Sequence, residues 1–497
     1  KGLHRKMRLQ KKTEDQINKE TFQKLSKKRK LAAKEPKNYR LQDVYILKGV
    51  DTESKTIKEI CEDLKNDPNI EYAEPNYIVS ICLTPNDPLY PIQWPLSNTG
   101  QAYPESGYYN PPPGTPDCDI DAPEAWDVST GSPDIVVAVI DTGVDYTHRD
   151  INDNMWKNLA ELNGVPAVDD DGNGYVDDIY GYDFCNYLKP RDSDPIDDAG
   201  HGTHVAGIIA AEGNNGLDIT GICWNTKIMA LKFLDSNGWG QVSDAVDAFY
   251  YAANNGARIT SNSWGGGRYS QTAQDAINYA HDQGLVMMAA AGNDNLSSLQ
   301  YPACYDNMIA VSATNSNDGK APFSNYGTWI DVAAPGVHIL SLRANGTSMG
   351  TIYDDYTTIA SGTSMACPQA SGLAALIYSF HPEFTNEQVR QVLRHTTDAP
   401  PAGTNQYIGT GRINALKALQ LDRVSNATLS ITFPRPDNPI SGVIDIIGTA
   451  TDDNFASYSL YYGKGDNVQW NGIYASTTKV SDGVLYSDFD TSALDDG

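Results

Sequence analysis

Residues 135–143 read Ile-Val-Val-Ala-Val-Ile-Asp-Thr-Gly, an unbroken apolar run that ends in a carboxylate, a hydroxyl and a glycine. A strand that is apolar at successive positions is buried on both faces, as in parallel sheets covered by helices. Comparable runs recur downstream and alternate with helical segments. These runs are Lys227 to Phe233, Ile259 to Ser263, Leu285 to Ala291 and Met308 to Ala313. The alternation predicts an α/β fold, a parallel β-sheet flanked by helices, with functional groups at the carboxyl ends of the strands.

The charge distribution limits the partners that this chain can bind. Its 497 residues carry 37 Lys and Arg against 63 Asp and Glu, a formal charge of −26. Residues 1–85 are nevertheless basic, so the acidic excess lies in the remainder of the chain. An acidic surface repels nucleic acid and provides oxygen ligands for a hard cation such as calcium. We expect no nucleic-acid partner and, because no apolar run approaches about 18 residues, no transmembrane segment.

Changes in composition divide the sequence into three segments. Residues 1–85 combine strand-like runs with a helical segment near residues 56–66, which predicts a small α+β domain that ends in a proline-rich linker. Residues 86–422 hold the alternating strands and helices of the predicted parallel sheet. Residues 423–497 show short strands broken by Gly, Pro, Asn and Asp, so they are expected to form a partial β-sandwich module.

Two further segments carry side chains that are suited to nucleophilic catalysis. Residues 201–207, His-Gly-Thr-His-Val-Ala-Gly, place an imidazole at the start of a helix of small residues. Residues 361–368, Ser-Gly-Thr-Ser-Met-Ala-Cys-Pro, place the Ser364 hydroxyl at a helix N-terminus, where the helix dipole and free N–H groups favour developing negative charge. A hydroxyl is a poor nucleophile at neutral pH unless an adjacent imidazole removes its proton. The chemistry therefore requires a fold that brings these groups together.

In the order Asp, His, Ser, these segments resemble the subtilisin-like serine proteases (subtilases), and the resemblance runs from about Asn86 to Leu421. It implies that Ser364 is the nucleophile and that His201 is the general base and then the general acid. It also implies that Asp141 orients and stabilises the imidazolium. The expected protein is a secreted serine endopeptidase, extracellular or at the cell surface, which cleaves peptide bonds through an acyl-enzyme.

The resemblance extends to segments that would contact a protein or peptide substrate. Residues 289–294, Ala-Ala-Ala-Gly-Asn-Asp, are similar to the family's oxyanion-hole segment, in which Asn293 would donate its side-chain N–H to the tetrahedral intermediate. Residues 263–266 are similar to the edge segment that pairs with the substrate main chain. The substrate-binding residues that the resemblance implies are Ser263, Trp264, Gly265, Ala290 and Gly292.

A second Gly-Thr-Ser-Met sequence occurs at residues 346–349. The residues that follow it, 350–352, are Gly, Thr and Ile, which do not favour the start of a helix. We therefore do not expect Ser348 to be a nucleophile.

Residues 169–178, Asp-Asp-Asp-Gly-Asn-Gly-Tyr-Val-Asp-Asp, space oxygen ligands around two glycines, as in the calcium loop of an EF-hand. Tyr180 occupies the position of the closing glutamate, so Asp177 or Asp178 would complete the ligand shell. The subtilase resemblance implies a second site in the loop 214–219. The candidate ligands are Asp169, Asp171, Asn173, Tyr175 and Asp178 for the first site, and Asp150 and Asn215 for the second. Calcium is expected to stabilise the native state and to take no part in the chemistry.

Residues 69–79 resemble the C-terminal end of subtilase propeptides, which assist folding and then occupy the cleft as inhibitors. The basic leader and the acidic remainder of the chain would attract each other. The protein is therefore expected to be a zymogen with its own propeptide as an intramolecular inhibitor. Self-cleavage is expected between about Tyr77 and Asn86.

Two other functions agree with parts of the sequence. The basic run 27–30 and the acidic body would suit a processing protease selective for dibasic sites, but Gln300, expected near the floor of the primary pocket, is uncharged. An adhesion protein with an inactive protease domain would act through its C-terminal module, but the intact set of four catalytic residues argues against it. Cleavage assays on the wild type and on Ser364→Ala would distinguish these functions.

Overall fold

The fold is described from a computed structural model. The residues that it describes are 6–10, 44–47, 61, 64, 73–76, 83–101, 113–186, 190–399, 408–421, 428–434, 440–452, 455–463 and 471–494. The chain divides into two compact units, Lys1–Ile81 and Cys82–Gly497.

The first unit contains an antiparallel sheet. Its described strands are β1 (Lys6–Gln10), β2 (Val44–Leu47) and β3 (Ala73–Asn76), paired in the order β2-β1-β3. The helix that the sequence predicts near residues 56–66 lies outside the described residues, except that Cys61 and Leu64 are helical. Within the predicted self-cleavage segment, residues 77–82 also lie outside the described part.

The second unit is built around a parallel sheet. Its strands are β4 (Val136–Asp141), β5 (Gly181–Asp183), β6 (Lys227–Lys232), β7 (Ile259–Asn262), β8 (Val286–Ala290), β9 (Met308–Thr314) and β10 (Val332–Pro335). Over the described residues these seven strands pair in the order β10-β9-β8-β7-β4-β6-β5, and each adjacent pair is parallel.

Helices cover both faces of this sheet. They are α1 (Ala122–Trp126), α2 (Leu159–Leu162), α3 (His201–Ala210), α4 (Val242–Asn254), α5 (Gln271–Asp282), α6 (Thr363–Phe380), α7 (Asn386–His395) and α8 (Ala415–Leu419). Val137 and Val139 of β4 pack in one apolar cluster with α3 and α6, whereas Val136, Ala138 and Ile140 pack in another with α4 and α5. The predicted α/β fold, a parallel sheet flanked by helices, is confirmed.

Shorter elements complete the second unit. An antiparallel sheet of β11 (Ile339–Leu342), β12 (Thr351–Ile352) and β13 (Thr357–Ala360) precedes α6. Three-residue 3₁₀ turns span Tyr90–Ile92, Asn152–Asn154 and Thr491–Ala493. No helix in the described ranges is long and apolar enough to cross a membrane.

Antiparallel sheets are present at the C-terminal end. One contains β14 (Thr428–Phe433), β15 (Val443–Thr451) and β18 (Val480–Asp490), and the other pairs β16 (Tyr458–Tyr462) with β17 (Asn471–Ser476). Buried Ile446 of β15, Leu485 of β18 and Leu460 of β16 belong to one small apolar cluster. The two sheets therefore share a core, and the assignment of this region as a β-sandwich module stays a prediction.

Candidate active site

The side chains of Asp141 and His201 meet where β4 ends and α3 begins. Asp141 is fully buried, and its Oδ1 accepts a hydrogen bond from Nδ1 of His201 at 2.7 Å and one from the N–H of Thr142 at 2.8 Å. A carboxylate can only accept hydrogen bonds, so Nδ1 of His201 carries the ring proton. Nε2 of the neutral imidazole is then free to take up a second proton. The His201 side chain is 25% exposed. The pair thus presents a base at a solvent-accessible position.

Opposing influences act on the pKa of His201. Burial lowers it, but the charge of Asp141, the hydrogen bond to Asp141 and the charge of Asp197 raise it by more, so the pKa of His201 lies above its usual value. A raised pKa strengthens the imidazole as a base. One turn along α3, burial lowers the pKa of His204 to about 3, so this second ring stays neutral.

Ser364 lies at the start of α6 and contacts the end of β7. Its hydroxyl donates to the carbonyl of Ser263 at 3.0 Å, and the Ser263 hydroxyl donates to the carbonyl of Ser364 at 2.9 Å. In the register of β4 with β7, Val139 lies opposite Ser261, so Asp141 at the end of β4 and Ser263 directly after β7 lie at the same edge of the sheet. The fold therefore brings the serine segment to the edge of the sheet that carries Asp141.

The serine and histidine side chains are not joined by a hydrogen bond. Among the described residues, Ser364 Oγ bonds to Ser263 and not to His201 Nε2. Catalytic contacts of this kind often form only in the substrate complex, and rotation about χ1 redirects a serine hydroxyl.

Asn293 follows β8 and is held by α6. Its Oδ1 accepts from the N–H of Thr363 at 2.8 Å and from the Thr363 hydroxyl at 3.1 Å. An ideal Cβ built on Gly362 would lie 3.5 Å from the N–H nitrogen of Ser364 and 3.6 Å from Asn293 Nδ2. The N–H of Ser364 and Nδ2 of Asn293 therefore border the space beside Gly362. A side chain at position 362 would fill this space. Thr363 was not predicted from the sequence, since its role depends on this contact.

The residues that the sequence implies for substrate binding lie at the ends of two adjacent strands. Ser263 to Gly265 follow β7, whereas Ala290 ends β8 and Gly292 follows it. An ideal Cβ on Gly292 would lie 3.6 Å from Gln300 Cγ, so Gln300 is close to this segment. Beside them is a cavity lined by Val242, Ala245, Val246, Phe249, Trp264, Gly266, Arg268, Ala273, Tyr301, Pro302 and Tyr305.

Residues 132–411 match the Subtilase family. The chain belongs to this family. Over 364 residues it is 40% identical to the thermophilic serine proteinase of Bacillus sp. strain AK1, covering 73% of this chain and 76% of that protein. It is 36% identical over 378 residues to an extracellular protease of Xanthomonas campestris, and the match covers 72% of this chain and 60% of that protein.

A solved structure agrees with this assignment. A protease from Pseudoalteromonas arctica PAMC 21717 superposes with a TM-score of 0.55 at 32% identity, covering 68% of this subtilase and 99% of that chain. The protein is therefore a subtilisin-like serine endopeptidase.

The first candidate calcium loop of this subtilase and the neighbouring α2 together form a carboxylate cluster. Glu161, Asp171 and Asp178 each offer an oxygen, and these atoms lie within 4.8 Å of one another. Asn173 Nδ2 donates to Asp171 Oδ2 at 3.2 Å and to Asp178 Oδ2 at 2.9 Å. Burial raises the pKa of Asp178, although hydrogen bonds from Tyr251 and the amides oppose this. Close carboxylates of this kind fit a hard cation.

Two other predicted ligands of this loop have different contacts. The oxygens of Asp169 accept from the N–H groups of Gly172 at 2.8 Å and Gly174 at 2.9 Å. The ring of Tyr175 packs edge-on against Tyr251 at 4.9 Å between centroids. Asp169 therefore shapes the loop, while Tyr175 anchors it to the core.

The second candidate site joins segments that are distant in the sequence. Asp150 Oδ1 accepts from Asn215 Nδ2 at 2.7 Å, and its Oδ2 accepts from the N–H of Ile219 at 3.1 Å. Asp87, which was not predicted, accepts from the successive N–H groups of residues 214–216 at 2.7, 3.1 and 3.2 Å. Burial, with the charges of Asp218 and Asp87, raises the pKa of Asp150 to about 8. A bound cation would favour the ionised form of this buried carboxyl group, so the site also fits a cation.

Proposed function

We propose that this subtilase is a secreted, calcium-stabilised serine endopeptidase that is made as a self-processing zymogen, with Asp141, His201 and Ser364 as its catalytic triad. The observation that carries the proposal is the 2.7 Å hydrogen bond between the buried Asp141 and Nδ1 of His201. It leaves Nε2 as a base on the edge of the sheet that also receives Ser364 at the start of α6.

Acylation follows from this arrangement. Nε2 of His201 takes the proton of Ser364 Oγ while Oγ attacks the scissile carbonyl carbon. The oxyanion of the tetrahedral intermediate accepts from the Ser364 N–H and from Asn293 Nδ2. His201 then gives its proton to the leaving amine, the C–N bond breaks, and Ser364 is acylated. In deacylation, water attacks the acyl carbon while His201 takes its proton. His201 then returns a proton to Ser364 Oγ, and the peptide acid is released.

Main-chain pairing would hold an extended substrate in register. Residues 263–265 would supply one edge by strand addition, and Ala290 and Gly292 would form the facing wall of the primary pocket. Trp264 also lines the apolar cavity beside this edge, which offers a site for a second side chain of the substrate. We infer broad specificity for unfolded or extended segments of protein.

Calcium would bind at two sites and stabilise the native state by mass action. The predicted ligands, joined by Glu161, would form the first site; they are Asp169, Asp171, Asn173, Tyr175 and Asp178. Asp150 and Asn215, joined by Asp87, would form the second. A divalent cation would offset the negative charge of the carboxylates at these two sites.

Residues 1–85 would be the propeptide, 86–422 the catalytic domain and 423–497 a partial β-sandwich module. The division of the chain after Ile81 and the basic charge of the leader support this organisation. Secretion is supported by the name of the Xanthomonas campestris relative, an extracellular protease.

The test compares the wild type with Ser364→Ala and with Ser348→Ala, a matched control. Ser348 lies in the same Gly-Thr-Ser-Met sequence, is exposed and is not followed by a helix. On a peptide library, Ser364→Ala should lose about 10⁶-fold in kcat, the loss known for the nucleophile of subtilisin, and Ser348→Ala should lose nothing.

Processing provides a second readout. The mature wild type should begin between residues 77 and 86, and Ser364→Ala should keep its leader. A wild type no more active than Ser364→Ala would contradict the proposal and favour a binding protein, whereas cleavage confined to paired basic residues would favour a processing protease.

A further inference from the structure

Asp197 is a buried carboxylate close to His201 that the mechanism above does not use. It is 4% exposed. Its Oδ1 accepts from the Thr142 hydroxyl at 2.9 Å and from the N–H groups of residues 199 and 200 at 3.0 and 2.8 Å. Its Oδ2 accepts from the N–H of Thr203 at 2.9 Å and from the Thr203 hydroxyl at 2.7 Å. Five hydrogen bonds therefore converge on one side chain.

All five partners donate to Asp197. The Thr142 hydroxyl accepts from the N–H of Gly202 at 2.8 Å, and the Thr203 hydroxyl accepts from the N–H of Asp145 at 2.9 Å, so each gives its own proton to the carboxylate. Burial raises the pKa of Asp197 above its usual value, although these hydrogen bonds oppose that effect. A proton on either oxygen would displace one of the donors, so the five hydrogen bonds favour the anion.

Thr142 connects this anion to the catalytic pair. Its N–H donates to Asp141, and its hydroxyl bridges Asp197 and the N–H of Gly202. Its carbonyl accepts from Nζ of Lys232, which is 1% exposed, at 2.7 Å. Every polar group of Thr142 is thus bound, and the residue links the end of β4 to the first turn of α3.

The strand end and the helix start are in direct contact. An ideal Cβ on Gly202 would lie 2.0 Å from the carbonyl oxygen of Gly143, so only glycine permits this approach. Asp197 contacts both segments, through the Thr142 hydroxyl after β4 and through Thr203 in the first turn of α3.

We propose that Asp197 is a positioning residue for peptide hydrolysis, which fixes the geometry of Asp141 and His201 by tying the Thr142 hydroxyl to N–H groups of the loop before α3 and to Thr203 in the first turn of α3. It does not touch the imidazole. Its negative charge also favours the imidazolium that forms when His201 takes the proton of Ser364. This inference rests on the proposed triad.

The groups that face His201 determine the sign of the expected pH effect. They are Asp141 at the end of β4, Asp197 in the loop before α3, and His204 in α3. Lys232 in β6 lies behind Thr142 and also binds Asp198. His204 is neutral, so the two aspartates are the charges that raise the pKa of His201 against the effect of burial. Removing the charge of Asp197 should therefore lower the pKa of His201.

The experiment compares Asp197→Asn with Asp194→Asn in the full chain. Asp194 is an exposed acid in the same loop, so its substitution controls for loss of a nearby charge. For Asp197→Asn we expect kcat per titrated active site to fall about 10- to 100-fold with KM nearly unchanged, because small displacements of catalytic groups cost up to about 10²-fold. The acid limb of kcat/KM should move to lower pH. Asp194→Asn should change neither quantity.

Two further variants keep the inference testable if Asp197→Asn folds poorly. Thr142→Val removes the link but keeps the charge, so kcat should fall while the acid limb stays in place. Thr142→Ser keeps the hydroxyl and should retain activity. The inference would be overturned if kcat were unchanged in both Asp197→Asn and Thr142→Val. It would also be overturned if fewer titratable active sites explained the whole loss of activity and the acid limb of kcat/KM did not move.

A measurement without turnover separates this inference from the proposed function. In the Ser364→Ala background, the Nδ1–H signal of His201 can be followed by NMR as a function of pH. The midpoint should be lower when Asp197→Asn is added. An equal midpoint would refute the electrostatic role of Asp197 even if the enzyme is active, whereas an inactive wild type with the expected shift would refute only the proposed function.

Discussion

Two regions of the second unit bring carboxylates together, and they differ in what offsets the negative charge. At the end of β4, Asp141 and Asp197 receive hydrogen bonds from His201, from Thr142 and from N–H groups in the loop before α3 and in its first turn. In the loop 158–178, the donors to Asp171 and Asp178 are amides, a backbone N–H and a phenol, and within the described ranges no Lys or Arg pairs with either.

The difference shows two ways of tolerating clustered acids. Fixed protein donors preorganise the first region, so its geometry should not depend on the ions in solution. In the second region the proposed calcium ion would offset part of the negative charge, so the contribution of this region to stability should depend on calcium concentration. Substitutions in one region should therefore leave the properties of the other unchanged.

Among the substitutions that compare these two regions, the largest effect is expected for Asp141→Asn. An amide in place of the carboxylate no longer holds the proton on Nδ1 of His201, so kcat should fall about 10⁴-fold, the size of effect known for serine-protease triads. The gain in melting temperature on adding calcium should equal that of the wild type. Loss of the calcium response in this variant would show that the two regions are coupled.

Calcium removal should lower stability and leave kcat unchanged, the opposite of the effect of Asp141→Asn. In the Ser364→Ala background, which excludes autolysis, calcium at 100 times its Kd should raise the free energy of unfolding by about 2.7 kcal/mol for each site. Chemical denaturation with calcium or with a chelator measures this difference. In the wild type, a chelator should speed inactivation while kcat per titrated site, measured before inactivation, stays constant. An immediate fall in kcat would contradict a purely structural role.

The sequence was most informative where one local signal determines the structure. The apolar run of β4 predicted burial on both faces, and the small residues after Ser364 predicted the helix that begins there. Local sequence could not identify Asp197, because several acids occupy the same loop and only tertiary contacts show which one is buried. Asp87 was missed for the same reason, since its partners lie 127 to 129 residues away.

Glu161 shows why the acidic loop was only partly predictable. It lies in α2, where Leu159 and Leu162 are 65% and 45% exposed while the glutamate is 4% exposed. This inverts the usual preference of apolar residues for the interior, so no periodicity marks Glu161 as buried. What buries it is a set of N–H groups from the neighbouring loop, whose position follows from the tertiary fold.

The smallest effects distinguish loop organisation from cation binding. Glu161 Oε1 accepts from the N–H groups of Asp170 at 2.7 Å and Asp171 at 3.2 Å, and its Oε2 accepts from that of Asp177 at 2.9 Å. Glu161→Gln places an amide nitrogen against at least one of these donors, so it should cost about 1 to 3 kcal/mol with or without calcium.

Asp171→Asn is the matched substitution at an exposed member of the same cluster. Without calcium it should change the free energy of unfolding by less than about 0.5 kcal/mol, because relief of repulsion with Asp178 offsets weaker hydrogen bonds. With calcium it should lose affinity, since the charge count of the ligands sets the Kd. Urea unfolding of both variants in the Ser364→Ala background, with calcium and with a chelator, measures all four values. If both variants lost stability only with calcium, Glu161 would act as a calcium ligand alone and not also as an organiser of the loop, because its three N–H partners would then contribute nothing on their own.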